Sequence, residues 1–110
     1  MPSELARKEC VPCKGGEPPL KGEALLDLQG QLGRDWQVVD DHHIEKEFKF
    51  DDWSQAVEFV DRVARIADEQ DHHPDIHLSY GKVKVESWTH KVGGLTENDF
   101  VLAAKIEEAR

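Results

Sequence analysis

Apolar side chains recur at every third or fourth position from Trp53 to Ala67, which predicts one long amphipathic helix. Asp52 and Gln55 stand at the spacing of a capping box at its start, and Pro74 ends any helix that reaches it. The apolar stripe is broad enough to pack on a sheet with one side and on a second subunit with another. We therefore expect an apolar sheet face in the same chain and self-association of the protein.

Two pairs of short alternating segments flank this helix. Residues 44–50 and 82–89 alternate between apolar and polar side chains, and polar turns join each of them to a neighbouring segment, which is typical of hairpins. The predicted strands are 36–39, 44–50, 76–80 and 82–89, and the shorter predicted helices are 22–32 and a segment that begins after Thr96. The order α-β-β-α-β-β-α predicts an α+β domain, in which a four-stranded antiparallel sheet carries three helices on one face.

Residues 1–19 differ in composition from this domain, which we assign to residues 20–110. They contain Cys10, Cys13 and the Pro18-Pro19 pair, with few large apolar side chains, which predicts an irregular N-terminal arm. Cys10 and Cys13 form half of a zinc ribbon, but no second pair of cysteines follows. We therefore expect two reduced thiols and no metal.

Charge and hydropathy exclude several classes of partner. The chain has 110 residues, with 23 acidic against 14 basic side chains and a net charge of −9, which argues against direct binding to nucleic acid. No apolar run approaches the ~20 residues of a membrane span, and the first residues lack the apolar stretch of a signal peptide. We expect a soluble, cytoplasmic protein of one domain with no membrane partner.

Histidines cluster around one proline. His72, His73 and His77 fall within six residues around Pro74, and antiparallel pairing of the following hairpin can bring His90 back beside them. The residues alone leave three interpretations open: solvated imidazoles that complement a helix C-terminus, a zinc site made by the four histidines, or an acid-base pocket. The turn at Pro74 makes it hard for three such close neighbours to converge on one metal ion.

The order and spacing of one set of residues resemble the signature of the pterin-4a-carbinolamine dehydratases: Asp68, His72, His73, Pro74, Tyr80, His90 and Asp99. The resemblance covers roughly residues 20–108. It implies an α+β fold, a homodimer or homotetramer, and the dehydration of 4a-hydroxytetrahydropterin to the quinonoid dihydropterin. That reaction recycles the tetrahydropterin used in aromatic amino acid hydroxylation, and it requires neither a cofactor nor a metal.

The resemblance also implies roles for individual residues. His72 and His90 would form the acid-base pair on opposite sides of the pterin ring, with His73 orienting the ring, and Asp71 and Asp99 would support the site. The pterin would be lined mainly by backbone groups of a further set: Pro74, Thr89, Lys91 and Val92.

Some of these residues have other interpretations. Asp99 also stands at capping-box spacing from Thr96, and the alternation of the strand predicts an exposed His77. His42 and His43 fall in a predicted turn, where we expect solvated side chains. The resemblance also leaves a second function open, because members of that family serve as non-catalytic binding or assembly modules or as transcriptional coactivators. The full histidine set favours the enzyme.

Overall fold

The computed structural model of the chain describes residues 4–11, 18–33 and 35–109. The helices are α1 (Glu4–Arg7), α2 (Glu23–Leu32), α3 (Trp53–Gln70) and α4 (Glu97–Ala109). The strands are β1 (Gln37–Val39), β2 (His43–Lys49), β3 (Asp75–Ser79) and β4 (Lys82–Ser87). The predicted α+β class and the two hairpins are confirmed, and a short fourth helix is added at the start.

The four strands form one antiparallel sheet in the order β1-β2-β4-β3. The two hairpins meet through β2 and β4, where Phe48 pairs with Val83 and Ile44 with Ser87. Strands β1 and β3 are therefore the edges. This order places the C-terminal half of the second hairpin in the middle of the sheet, next to the first hairpin.

The hydrophobic core lies between one face of the sheet and the helices. The inward apolar residues of β2 and β4 are fully buried and belong to one core with side chains of α3 and α4. They are Ile44, Phe48, Val83 and Val85 on the strands, with Phe59, Val63, Phe100 and Leu102 on the helices. The alternate strand residues leave the other face of the sheet without helices, and that face is called the open face below. The strand alternation seen in the sequence thus separates core from open face.

Lys46 interrupts the inward row of β2, and the structure gives it a partner. Its ammonium group pairs with Glu107 near the end of α4 and lies over the ring of Phe48. The same Glu107 oxygen accepts a hydrogen bond from Trp36 Nε1 at 3.0 Å. Lys46 and Glu107 therefore lie against the core as an ion pair with additional contacts. A largely buried ion pair requires such contacts to offset the loss of hydration.

The prediction of a wholly irregular arm over residues 1–19 is wrong at α1. Leu5 is only 1% exposed and joins the core beside α4, and Lys105 Nζ donates to the carbonyl oxygen of Ala6 at 2.8 Å. One buried leucine is enough to anchor a single helical turn, although four residues are too few to show a periodic pattern. Cys13 lies outside the described residues. Within the described ranges, none of the helices has the length and apolar character to cross a membrane.

Candidate active site

The end of α3 determines where His72 lies. Asp71 adopts a left-handed φ of 51°, and its N–H donates to Asp68 O at 3.3 Å while the His72 N–H donates to Ala67 O at 3.2 Å. These two bonds form a Schellman motif, and aspartate tolerates its left-handed position better than most residues. Pro74 then prevents the helix from resuming. The chain consequently turns His72 back toward α4.

His72 meets a buried carboxylate there. Asp99, in the first turn of α4, is 0% exposed. Its Oδ1 lies 2.7 Å from His72 Nε2 and accepts from Ser87 Oγ at 2.6 Å. Its Oδ2 accepts from Thr89 Oγ1 at 2.8 Å and from the Thr96 N–H at 3.0 Å. Four partners from three separate parts of the chain thus converge on one carboxylate.

These contacts determine the direction of the hydrogen bonds around Asp99. Because the Thr89 hydroxyl donates to Asp99, the Thr96 hydroxyl, 2.9 Å away, donates to Thr89. When His72 Nε2–H donates to Asp99, the other ring nitrogen, Nδ1, is left for a ligand. A buried carboxylate that fixes the tautomer and orientation of an imidazole in this way prepares it for acid-base work.

Asp99 makes the capping contacts that its spacing from Thr96 predicts, and it also contacts a predicted site histidine. Its side chain accepts from the Thr96 N–H, and its own N–H donates to Thr96 O at 3.1 Å, so it closes the first turn of α4. The same carboxylate holds His72. The capping geometry therefore fixes the position of the group that orients the histidine.

His90 is held by an aromatic contact. Its ring stacks on Trp88 with centroids 4.0 Å apart and planes 19° from parallel, and His42 lies against Trp88 at a centroid distance of 4.4 Å. Trp88 belongs to the polar parity of its predicted strand. Its size and its place two residues before His90 are the only signals in the sequence that it orients a histidine.

A cavity of about 460 Å³ opens beside these groups, within the ~300 to 1,000 Å³ of small-molecule sites. Among the predicted site residues it is bordered by Asp71, His72, His73, Thr89, His90 and Lys91. Pro74 and Val92, which were also predicted to line the site, are half-buried and do not border it. His73 is exposed, with Nε2 3.0 Å from Asp68 Oδ1.

Residues 18–109 match the family described as pterin 4 alpha carbinolamine dehydratase. The chain belongs to this family. The match includes the whole sheet, α2 to α4, and every histidine of the cavity. It begins only after Cys10 and Val11, so the arm that borders the cavity lies outside the matched range.

Similar proteins of the dehydratase family span almost the whole chain. A protein of Rubrobacter xylanophilus, provisionally named a pterin-4-alpha-carbinolamine dehydratase, is 55% identical over 105 residues, with 96% of this chain and 97% of its own covered. One of Alkaliphilus metalliredigens with the same provisional name is 43% identical over 106 residues, and 96% of each chain is covered.

Two solved structures share the fold. A transcriptional coactivator/pterin dehydratase from Brucella melitensis superimposes with a TM-score of 0.73 at 33% identity, covering 81% of this chain and 96% of that one. A pterin dehydratase-like protein identified as a RuBisCO assembly factor in the alpha-carboxysome gives 0.60 at 20% identity, covering 71% of this chain and 92% of that one. The second similarity shows the fold alone.

The N-terminal arm forms a wall of the cavity of this dehydratase-family chain, which sequence reasoning missed. Cys10 and Val11 border the cavity. The Cys10 N–H donates to Gln70 Oε1 at 2.8 Å, the Val11 N–H donates to Asn98 Oδ1 at 2.9 Å, and Asn98 Nδ2 donates back to Val11 O at 2.7 Å. Polar side chains from the ends of α3 and α4 thus hold the arm in place.

The four histidines considered as a zinc site do not meet. His77 lies on the open face of β3 with Nε2 2.8 Å from Glu86 Oε1, and it is exposed as the strand alternation predicts. His42 and His43 were expected to be solvated and are half-buried instead. His43 Nε2 contacts Glu45 Oε1 at 3.0 Å, and this hydrogen bond holds the pKa of the Glu45 carboxyl below its usual value.

Proposed function

We propose that the protein is a hydro-lyase that converts 4a-hydroxytetrahydropterin to the quinonoid dihydropterin. The observation that carries the proposal is the hydrogen bond between His72 Nε2 and the buried Asp99, at the edge of a cavity that His90 also borders. Membership of the dehydratase family supplies the class of substrate. The product would feed the recycling of the tetrahydropterin that aromatic amino acid hydroxylation consumes.

The reaction requires two proton transfers and no change of redox state. The hydroxyl at C4a leaves as water after it gains a proton, and N5 loses its proton as the C4a–N5 double bond forms. One group donates a proton and another accepts one, so the pair of groups ends with its total number of protons unchanged. Positioned acid-base groups that titrate near neutral pH accelerate such steps by about 10²- to 10⁴-fold.

His72 and His90 are the pair that the proposal assigns to these transfers. Asp99 holds His72 Nε2, which leaves Nδ1 for the substrate, and the Trp88 stack fixes the plane of the His90 ring. Which imidazole donates and which accepts depends on the configuration at C4a. Both imidazoles must border the ring of the substrate, and the cavity that they line is large enough for a small heterocycle.

Other residues at the rim contribute to binding in this proposal. His73 orients the pterin, Thr89 and Lys91 line it, and Asp71 supports the turn that presents the histidines. Pro74 acts indirectly, because it stops α3 and directs His73 to the rim.

The proposal is tested by following the decay of chemically generated 4a-hydroxytetrahydropterin in the ultraviolet, with and without protein. We expect clear acceleration by the wild-type chain, and a loss of kcat of about 10²-fold or more for His72→Ala and for His90→Ala. His77→Ala is the matched control, because His77 lies on the open face and contacts Glu86. Its activity should equal that of the wild type.

A binding or assembly role of the same fold is the second candidate, and the Brucella melitensis relative named as both coactivator and dehydratase favours keeping it. The same measurement separates the two. Pterin binding by the pure protein without any acceleration of the decay would contradict the enzyme proposal. Equal loss of activity in His72→Ala and His77→Ala would show that these variants act through the fold instead of through the site.

A further inference from the structure

Three carboxylates stand side by side across the open face of the sheet. Glu45 of β2 is directly opposite Glu86 of β4, and Glu86 is directly opposite Asp75 of β3. Like charges in directly opposite positions destabilise a sheet. A row of three acids on neighbouring strands therefore requires positive charge close by.

His43 contacts both Glu45 and Glu86. Its Nε2 is 3.0 Å from Glu45 Oε1 and 3.5 Å from Glu86 Oε2, and the three ligand atoms all lie within 4.8 Å of one another. In a regular tetrahedron around zinc, with bonds of about 2.0 to 2.2 Å, neighbouring ligand atoms are about 3.4 Å apart. The three side chains are only 17%, 27% and 21% exposed, so they converge in a sheltered position.

We propose that His43, Glu45 and Glu86 bind one divalent transition-metal ion of the zinc class. One imidazole and two carboxylates suit such an ion, and three protein ligands leave a fourth position for water. Among the described residues this is the one group of three side chains that meets the distance requirement for a shared metal ion. It involves none of the histidines that border the cavity.

The neighbours of these ligands are arranged as an outer shell. Each carboxylate directs one oxygen at His43 and the other at Lys84, whose Nζ is 3.5 Å from Glu45 Oε2 and 3.7 Å from Glu86 Oε1. His77 Nε2 contacts the same outer oxygen of Glu86 at 2.8 Å. Lys84 and His77 orient the carboxylates without occupying the oxygens that face His43.

Without a metal ion, His43 Nε2–H donates to Glu45 Oε1 at 3.0 Å. A metal ion would replace that proton, and His43 Nδ1–H could then donate to His42 Nδ1, which lies 3.3 Å away. His42 in turn packs on Trp88. The proposed site thus lies outside the cavity, is connected through His42 to Trp88, which borders the cavity, and does not depend on the dehydratase proposal.

The test uses the full-length chain without an affinity tag, after removal of metal by a chelator and dialysis. Titration with Co²⁺ should produce the visible absorption of a low-symmetry protein site and saturate at one ion per chain, and Zn²⁺ should displace it. Glu86→Gln and Glu45→Gln should each weaken Zn²⁺ binding by at least about tenfold in a competition titration with a chromophoric chelator. Circular dichroism verifies that each variant is folded.

Two variants serve as matched controls. Glu47→Gln removes the same charge from the same face of β2, two residues from Glu45, and should bind Zn²⁺ as tightly as the wild type. His72→Ala should also bind normally. No saturable Co²⁺ or Zn²⁺ binding by the wild type, equal losses in Glu47→Gln and Glu86→Gln, or loss of the ion in His72→Ala alone would overturn the assignment; the last result would place the metal in the cavity.

Discussion

Asp99 is the residue on which the geometry of the candidate site depends most. In Asp99→Asn one carboxylate oxygen becomes an NH₂ group, which cannot accept from the donors that it then faces. We expect a loss of about 2 kcal/mol in the free energy of unfolding, and a fall in kcat of about 10²-fold because His72 loses its fixed tautomer. Urea unfolding and the ultraviolet assay measure the two effects separately.

Ser87→Ala distinguishes positioning of His72 from a general loss of packing. It removes one donor to Asp99 and leaves the contact of His72 with Asp99 intact. The free energy of unfolding should fall by about 1 kcal/mol, while kcat stays close to that of the wild type. If kcat falls as far in Ser87→Ala as in Asp99→Asn, the carboxylate acts only through stability.

Trp88 is the second residue whose contact has a direct consequence for the chemistry. Trp88→Leu keeps an apolar side chain but removes the flat surface on which His90 stacks. Misplacement of a catalytic group lowers the rate steeply, so we expect kcat to fall by about tenfold or more while KM changes little. Steady-state kinetics measure this, and Trp88→Phe should recover part of the loss. A change in KM alone would contradict the positioning role.

At the scale of elements, the N-terminal arm is a wall of the cavity that Asn98 holds in place. Asn98→Ala removes both of its hydrogen bonds to Val11, so Cys10 and Val11 can move away from the cavity. Because the arm borders the cavity and the proposal gives it no part in the proton transfers, KM for the pterin should rise severalfold with kcat nearly unchanged.

Lys8→Gln is the matched control for the arm. It breaks an exposed ion pair between the same arm and Glu97, 2.6 Å long, which contributes little in water. Its KM should equal that of the wild type. A lowered kcat in Asn98→Ala, or the same rise of KM in Lys8→Gln, would contradict a role of the arm in binding the substrate.

At the scale of the whole molecule, local patterns predicted the elements, and long-range pairing produced the site. The helical period of α3 and the alternation of β2 and β4 are visible within short stretches of consecutive residues, so the sequence showed them. The burial of Leu5 and the order β1-β2-β4-β3 depend on contacts between segments that are far apart in the chain, and no short stretch of sequence contains both partners. For the same reason the sequence did not show that His72 contacts Asp99, although it singled out both residues, and it did not show that Glu45 and Glu86 are neighbours.

Self-association is the property of the whole molecule that the apolar surface of α3 predicts. Trp53 and Val57, one turn apart, are 47% and 40% exposed, although both belong to the apolar stripe. A second copy of the chain that packs there would bury this surface in a homodimer or homotetramer. Val57→Glu should therefore shift the mass measured by light scattering to that of a monomer. Glu58→Gln, at the neighbouring exposed position of the same helix, should leave the mass unchanged, and a wild-type chain that is monomeric at high micromolar concentration would contradict the prediction.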